Sequence, residues 1–175
     1  MTWILVAALA VLVVFLIVAN VMGFRLPRDH HATARARYHQ PPEKIWQVVT
    51  NMPDAPNWRS GLRRVERFAD RDGKPVWVEV SRQWRVPLVF EDMEPPRRVV
   101  MRIDDEKLPF GGTWTCTIVP ETDGCTLAIT EDGVIRKPFM RFWARYASGY
   151  DGNIRNYLRD LGRKLGEKPV LERER

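Results

Sequence analysis

From Pro138 to Leu165 the chain reads PFMRFWARYASGYDGNIRNYLRDLGRKL. Phe139, Phe142, Trp143, Tyr146, Tyr150, Ile154, Tyr157, Leu158, Leu161 and Leu165 recur at steps of mostly three or four residues, so they line one face of a helix. Arg141, Arg145, Asp151, Arg155, Arg159 and Arg163 fall mostly on the other side. Pro138 suits a first helical turn, and Gly166 followed by Pro169 suits a stop. A continuous helix of this span would be roughly 42 Å long at about 1.5 Å per residue. Its apolar face is too wide for a coiled-coil seam and needs a broad apolar surface to lie on. Two readings stay open: the stripe is all core, or it is half core and half wall of a ligand cavity.

Upstream, alternating runs supply that surface. Val76, Val78 and Val80 alternate with Trp77, Glu79 and Ser81, and Trp84, Val86, Leu88 and Phe90 alternate again. Val99 to Ile103 reads as a further strand, and Thr113–Val119 and Cys125–Val134 flank a hairpin turn at Glu121-Thr122-Asp123-Gly124. Ala34–His39 is a first strand, Glu43–Thr50 a short helix, and Met52–Ser60 a turn with room for half a helical turn. Short turns between consecutive strands imply an antiparallel sheet, which curls and takes the terminal helix on its concave side. The expected fold is α+β: a curled antiparallel sheet of about six or seven strands around a long C-terminal helix.

Ahead of this domain, Trp3 to Phe24 carries no charge. About 22 residues at 1.5 Å each cover roughly 33 Å, enough to cross the hydrocarbon core. A cleaved signal peptide would have a basic start and a shorter apolar run, so an uncleaved anchor is expected. Arg25, Arg28, Arg35 and Arg37 follow it, opposed only by Asp29, which places the C-terminal domain in the cytoplasm of a single-pass membrane protein. The organisation is then an anchor over 1–24, a linker over 25–33, a domain over 34–167 and a charged tail over 168–175. The net charge of +6 contains no Lys/Arg block dense enough for a nucleic-acid groove, and a basic face near an anionic membrane explains it equally well.

The resemblance is carried by Pro42-x-x-x-x-Trp46, Asn51-Met52-Pro53 to Trp58, Glu94-Pro95-Pro96-Arg97-Arg98-Val99 and Gly111-Gly112-Thr113-Trp114-Thr115. Thr130-Glu131-Asp132-Gly133, Pro138-Phe139 and Tyr157-Leu158-x-x-Leu161 complete it. In order and spacing these pieces resemble the START-like superfamily with the helix-grip fold, and within it the SRPBCC or polyketide cyclase/dehydrase-like group, over about Arg35 to Gly166. The resemblance implies a hydrophobic cavity between curled sheet and terminal helix, for a lipid, sterol, polyketide or other apolar ligand. Some members catalyse reactions on such ligands, but the group shares no catalytic motif, so no catalytic residue carries over. An N-terminal anchor departs from most members.

The hairpin register places Pro120 opposite Cys125, Ile118 opposite Leu127, Cys116 opposite Ile129 and Trp114 opposite Glu131. Trp114, Cys116, Ile118, Leu127, Ile129 and Glu131 then share the inward face. Glu131 is an inward carboxylate, costly unless paired or wetted. It is the one weak catalytic candidate, as a general acid/base or a polar anchor; alternatively it sits at the rim, paired with Arg102 or Arg136. Trp84, Arg102, Trp114, Cys116, Ile129, Glu131, Phe142, Trp143 and Tyr146 are the candidate cavity residues. Cys116 and Cys125 are offset by roughly 13 Å, beyond disulfide reach, and read as core.

His30, His31 and His39 lack ligands at metal spacing and read as solvated, so no metal site and no cofactor is expected. Asp104, Asp105 and Glu106 read as a solvated loop tip or as part of the cavity's lid. Phe110-Gly111-Gly112 is no phosphate loop, because it precedes a strand and lacks the Lys-Ser/Thr. No Ser-His-Asp or Cys-His set assembles. The expected partners are a hydrophobic ligand or lipid and the membrane, with no nucleic acid and oligomeric state open. Enzyme chemistry of the cyclase, dehydratase or hydrolase kind and a docking role in a membrane complex are the alternatives.

Overall fold

In the computed structural model, which describes residues 2–173, the alternating runs form one antiparallel sheet. The elements are α1 (Thr2–Arg25), β1 (Asp29–Tyr38), α2 (Pro42–Thr50), a 3-10 turn (Met52–Asn57), β2 (Leu62–Arg71), β3 (Lys74–Ser81), β4 (Arg85–Glu94) and β5 (Arg98–Ile103). They continue with β6 (Phe110–Glu121), β7 (Gly124–Ile135), α3 (Pro138–Trp143), a π turn (Ala144–Ser148), α4 (Gly152–Leu165) and β8 (Val170–Arg173). The strand order is β2-β3-β4-β5-β6-β7-β1-β8. β2 to β7 meander, and β1 returns to pair with β7. The fold is the expected helix grip.

The hairpin register agrees with the sequence reading at every rung: Pro120 faces Cys125, Cys116 faces Ile129 and Trp114 faces Glu131. On the concave face, Ile118, Leu127 and Ile129 are essentially inaccessible and pack on Ile154, Leu158 and Leu161 of α4. Ala32, Ala34 and Ala36 alternate inward along β1, and small side chains let α4 approach the strand closely. The Tyr38 hydroxyl donates to the Leu158 carbonyl at 2.8 Å, which anchors helix to sheet. Full burial of each large aliphatic side chain contributes about 1.5–3 kcal/mol, and this seam is the main source of the grip.

On β3 and β4 the buried valines are on the other face. Val76, Val78, Val80 and Val89 are buried there. Ion pairs tie these strands to their neighbours: Arg85 of β4 pairs with Glu66 of β2, and Glu91 of β4 with Lys74 of β3 and Arg102 of β5. Long basic stems cover apolar surface while their heads stay wet. Trp77, Glu79, Val86 and Leu88 face inward instead.

Four expectations are corrected. The terminal helix is not continuous: it widens to a π turn at Ala144–Ser148 and breaks at Gly149, whose φ of 75° and ψ of 154° a helix cannot accommodate. Only the second half is gripped by the sheet, and the first half leaves it. β1 starts at Asp29, inside the stretch read as linker, and β8 forms in the stretch read as tail, pairing Val170 with Arg37. Among the described residues the sheet therefore has eight strands. Asp104 is no solvated tip, since it pairs with Arg71 and Arg102 and its side chain is 15% exposed.

α3 lies along α1. A Cβ on Gly23 would overlap the Pro138 carbonyl, so glycine is what lets the two backbones touch. Arg141 is 3% exposed and donates to the carbonyls of Gly23, Ile135 and Arg136. The Phe15 and Phe142 rings meet edge-on at 6.1 Å. Elsewhere α1 presents apolar side chains outward on every side, and only Ala19 and Gly23 are buried.

Candidate functional site

The gap between sheet and helix is not filled. A chamber of about 300 Å³ lies between α4 and strands β3 to β6, with Leu88, Met101, Trp114 and Tyr157 among its walls. A wider one of about 780 Å³ lies next to it under α3 and the π turn, lined by Trp84, Phe139, Met140 and Trp143. Phe110, Glu131 and Asn153 line both and form the waist between them. The π turn and Gly149, where the helix breaks, lie along this second chamber, and Ala144, Ser148 and Gly149 are among its lining residues.

Glu131 stands at the waist on β7. Its partner is neither Arg102 nor Arg136. His30 Nε2 lies 3.5 Å from Glu131 Oε1, and the imidazole stacks on Tyr150 with centroids 4.8 Å apart. Register explains the meeting: β1 pairs with β7, His30 faces Gly133, and a Cβ on Gly133 would overlap the ring. Glu131 Oε2 and His30 Nδ1 are both buried without a hydrogen-bond partner. Two unfilled polar atoms at a cavity waist are what a polar ligand group would satisfy. His30 is not solvated as the sequence suggests: its side chain is 8% exposed. His31 and His39 are solvated as expected and pair with Asp132 and Asp123 at the surface.

The smaller chamber holds a second polar set. Arg59 pairs with Glu79, and its guanidinium lies 5.1 Å from the Tyr157 ring centroid. Burial works against the Arg59 charge, but Glu79 and Tyr157 beside it more than restore it, so its pKa is raised. Burial, reinforced by Cys116, pushes the Tyr157 phenol well above its ordinary range. Trp58, edge-on to Tyr157, has a buried Nε1 without an acceptor. Asp160 closes this end by accepting from the Ser60 amide and hydroxyl, each at 2.6 Å. Sequence reasoning missed Arg59, Glu79 and Tyr157 as a group, because they come from a turn, a strand and a helix far apart in the chain. The even spacing of Glu79 with Trp77 was the only signal for its inward side.

The other candidates separate. Trp114 lines the smaller chamber, and Trp84 and Trp143 line the wider one. Cys116 and Ile129 are fully buried in the core behind the walls. Arg102 points outward from β5 to Glu91 and Asp104, because period two puts it opposite to Met101. Phe142 turns to Phe15 and Tyr146, and Tyr146 is 57% exposed. Both miss the cavity for one reason: the helix that was to carry them along the sheet ends at Gly149. Among the described residues no cluster of His, Cys, Asp and Glu could hold a metal ion.

The sequence profile of one family, described as polyketide cyclase/dehydrase and lipid transport, matches residues 29–166. The chain belongs to this family. No curated protein sequence matches it. Among solved structures, the ZhuI aromatase/cyclase from Streptomyces sp. R1128 is 14% identical, with a TM-score of 0.63 over 76% of this chain and 91% of that one. A conserved protein from Geobacillus kaustophilus is 12% identical, with a TM-score of 0.62 over 82% of this chain and 99% of that one. The di-domain aromatase/cyclase StfQ of the steffimycin pathway is 13% identical at a TM-score of 0.58 over 79% of this chain, which spans about half (52%) of it. At these identities the likeness is one of fold. As a member of the family, this chain is a helix-grip domain of the kind that holds hydrophobic small molecules.

Proposed function

We propose that this protein is a membrane-anchored module that takes up a hydrophobic small molecule or lipid between the sheet and α4, and does so from the cytoplasmic side of the membrane. The observation that carries the reading is the pair of neighbouring chambers of about 300 and 780 Å³, walled largely by apolar side chains, with polar groups at Glu131 between them and around Arg59 and Glu79 in the smaller one. Ligand sites of this kind run to roughly 300–1,000 Å³ with a few placed polar groups. α1 is 24 residues long and apolar enough to cross a membrane, and it supports the anchoring half of the reading. The basic residues after α1 support the cytoplasmic orientation. Native mass spectrometry of the detergent-extracted full chain tests it. An added mass that organic extraction removes is expected. A chain that carries nothing, and takes up nothing when offered apolar compounds, would overturn the reading.

A second reading is favoured by the His30–Glu131 pair. A carboxylate beside an imidazole at the edge of a ligand-sized cavity is an arrangement that can move a proton to or from a bound carbonyl compound. The Glu131→Gln variant separates the two. Loss of turnover with ligand uptake retained supports an enzyme; unaltered chemistry on a found substrate removes Glu131 from that role.

A further inference from the structure

The wider chamber is roofed by a segment whose outer side is itself apolar. Trp143 and Tyr146 are 54% and 57% exposed, and Phe139, Met140 and Trp143 also line the chamber below. This roof is continuous with α1. Pro138 touches Gly23, Arg141 ties the roof to the Gly23 carbonyl at 2.8 Å, and Phe142 reaches Phe15. Phe15 lies ten residues before Arg25, which is roughly 15 Å along a helix axis and about half of a bilayer's hydrocarbon core. A roof bound that far along α1 cannot stay outside a membrane that α1 crosses.

We propose that residues 138–148 dip into the cytoplasmic leaflet beside α1, so that the wider chamber opens sideways into the bilayer and is filled from it. This rests on the anchored, ligand-binding reading above. The occupant of the exposed face is an anionic phospholipid bilayer, for three reasons. α1 is apolar all round instead of along one stripe, which suits lipid on every free side and not one partner face. Trp and Tyr are the residue types that settle at the lipid–water boundary. Arg25, Arg28 and Lys137 are exposed at one level, where the Ile135 amide donates to the Arg28 carbonyl at 2.8 Å; each such cation near an anionic surface adds attraction, opposed here by Asp29. Arg145 is exposed beside Tyr146, and its long stem lets the guanidinium snorkel to the headgroups. The broken helix is the device that makes this possible: a straight one would have held Trp143 and Tyr146 on the sheet.

The test uses the full chain in vesicles of phosphatidylcholine and phosphatidylglycerol. An environment-sensitive fluorophore is placed at Trp143→Cys, with Tyr146→Cys as a second variant should the first misfold. Leu12→Cys reports on α1, and Val119→Cys reports on the far end of the hairpin. Cys116 and Cys125 are buried, so the native thiols stay unlabelled in the folded chain. The expected result is a several-fold rise in emission at positions 143 and 12, quenched by spin-labelled lipids, with position 119 in water. Position 143 in water while position 12 is quenched overturns the lateral opening and leaves the anchored ligand-binding reading standing. Position 143 shielded but unquenched by lipid means another protein surface covers it, and also overturns the proposal. Position 12 in water removes the anchor, and the proposal with it.

Discussion

Gly133→Ala gives a sharp test of how the waist is built. A methyl group there would overlap Cε1 and Nε2 of His30. The ring cannot simply swing away, because Tyr150 stacks on it at 4.8 Å and Glu131 faces it at 3.5 Å. Forcing an extra carbon into such a site costs about 1–3 kcal/mol. Removing the ring with His30→Ala frees the space, and Ala then gains about 0.5–1 kcal/mol over Gly in a strand. The two substitutions should therefore be non-additive by about 1–3 kcal/mol, with the double variant more stable than the sum predicts. Thermal unfolding of the four proteins in detergent reads this, at roughly 2–4 °C per kcal/mol for a chain of this size. Gly133→Ala alone should lower Tm, and in the His30→Ala background it should leave Tm unchanged or raise it. Additive effects would mean that His30 is not seated over Gly133, and the polar waist would lose its histidine.

Other consequences follow from single contacts. Arg141→Ala leaves three carbonyls without their donor and should cost about 2–4 kcal/mol, since hydrogen bonds to a charged group are worth about 1.5–3 kcal/mol each before relaxation; faster proteolysis between α1 and β1 is the expected readout, and an unchanged rate would contradict the packing of α3 on α1. Leu158→Ala, at a position with no exposure, should destabilise by about 2–5 kcal/mol in the same unfolding assay. Burial pushes the Cys116 thiol up to about 12 and the Cys125 thiol up to about 11. Both pKa values are raised in the folded chain, so the folded state holds its protons longer and stability is fully present below about pH 8.5, then falls as pH rises through the thiol range toward 12. Thiol labelling at pH 8 should be slow in the native chain and fast in urea, and rapid native labelling would show the thiols to be accessible.

The sheet was legible because its signals are local. Period two and the turn at Thr122-Asp123 fix which residues of β6 and β7 oppose each other, and every expected pair is found. The apolar character of α1 was equally plain. The terminal helix misled because its three-to-four spacing runs unbroken through Ser148-Gly149, and periodicity alone does not register one glycine in a conformation closed to helix. His30 was missed for a different reason: whether it is inward depends on how far β1 extends and which residue of β7 it meets. The space it occupies was visible only as Gly133, a strand glycine with nothing nearby in sequence to explain it. Glu131 was placed inward correctly, but its partner comes from 101 residues upstream through a strand pairing that no local pattern specifies.

The most direct measurement is to map where a photoreactive apolar compound attaches. A diazirine-bearing fatty acid, irradiated with the full chain in phospholipid vesicles and located by peptide mass spectrometry, should mark chamber residues such as Phe110, Trp114, Glu131 and Tyr157, and an excess of unlabelled apolar ligand should suppress those adducts. Adducts confined to Thr2–Arg25, with none between sheet and α4, would contradict the account.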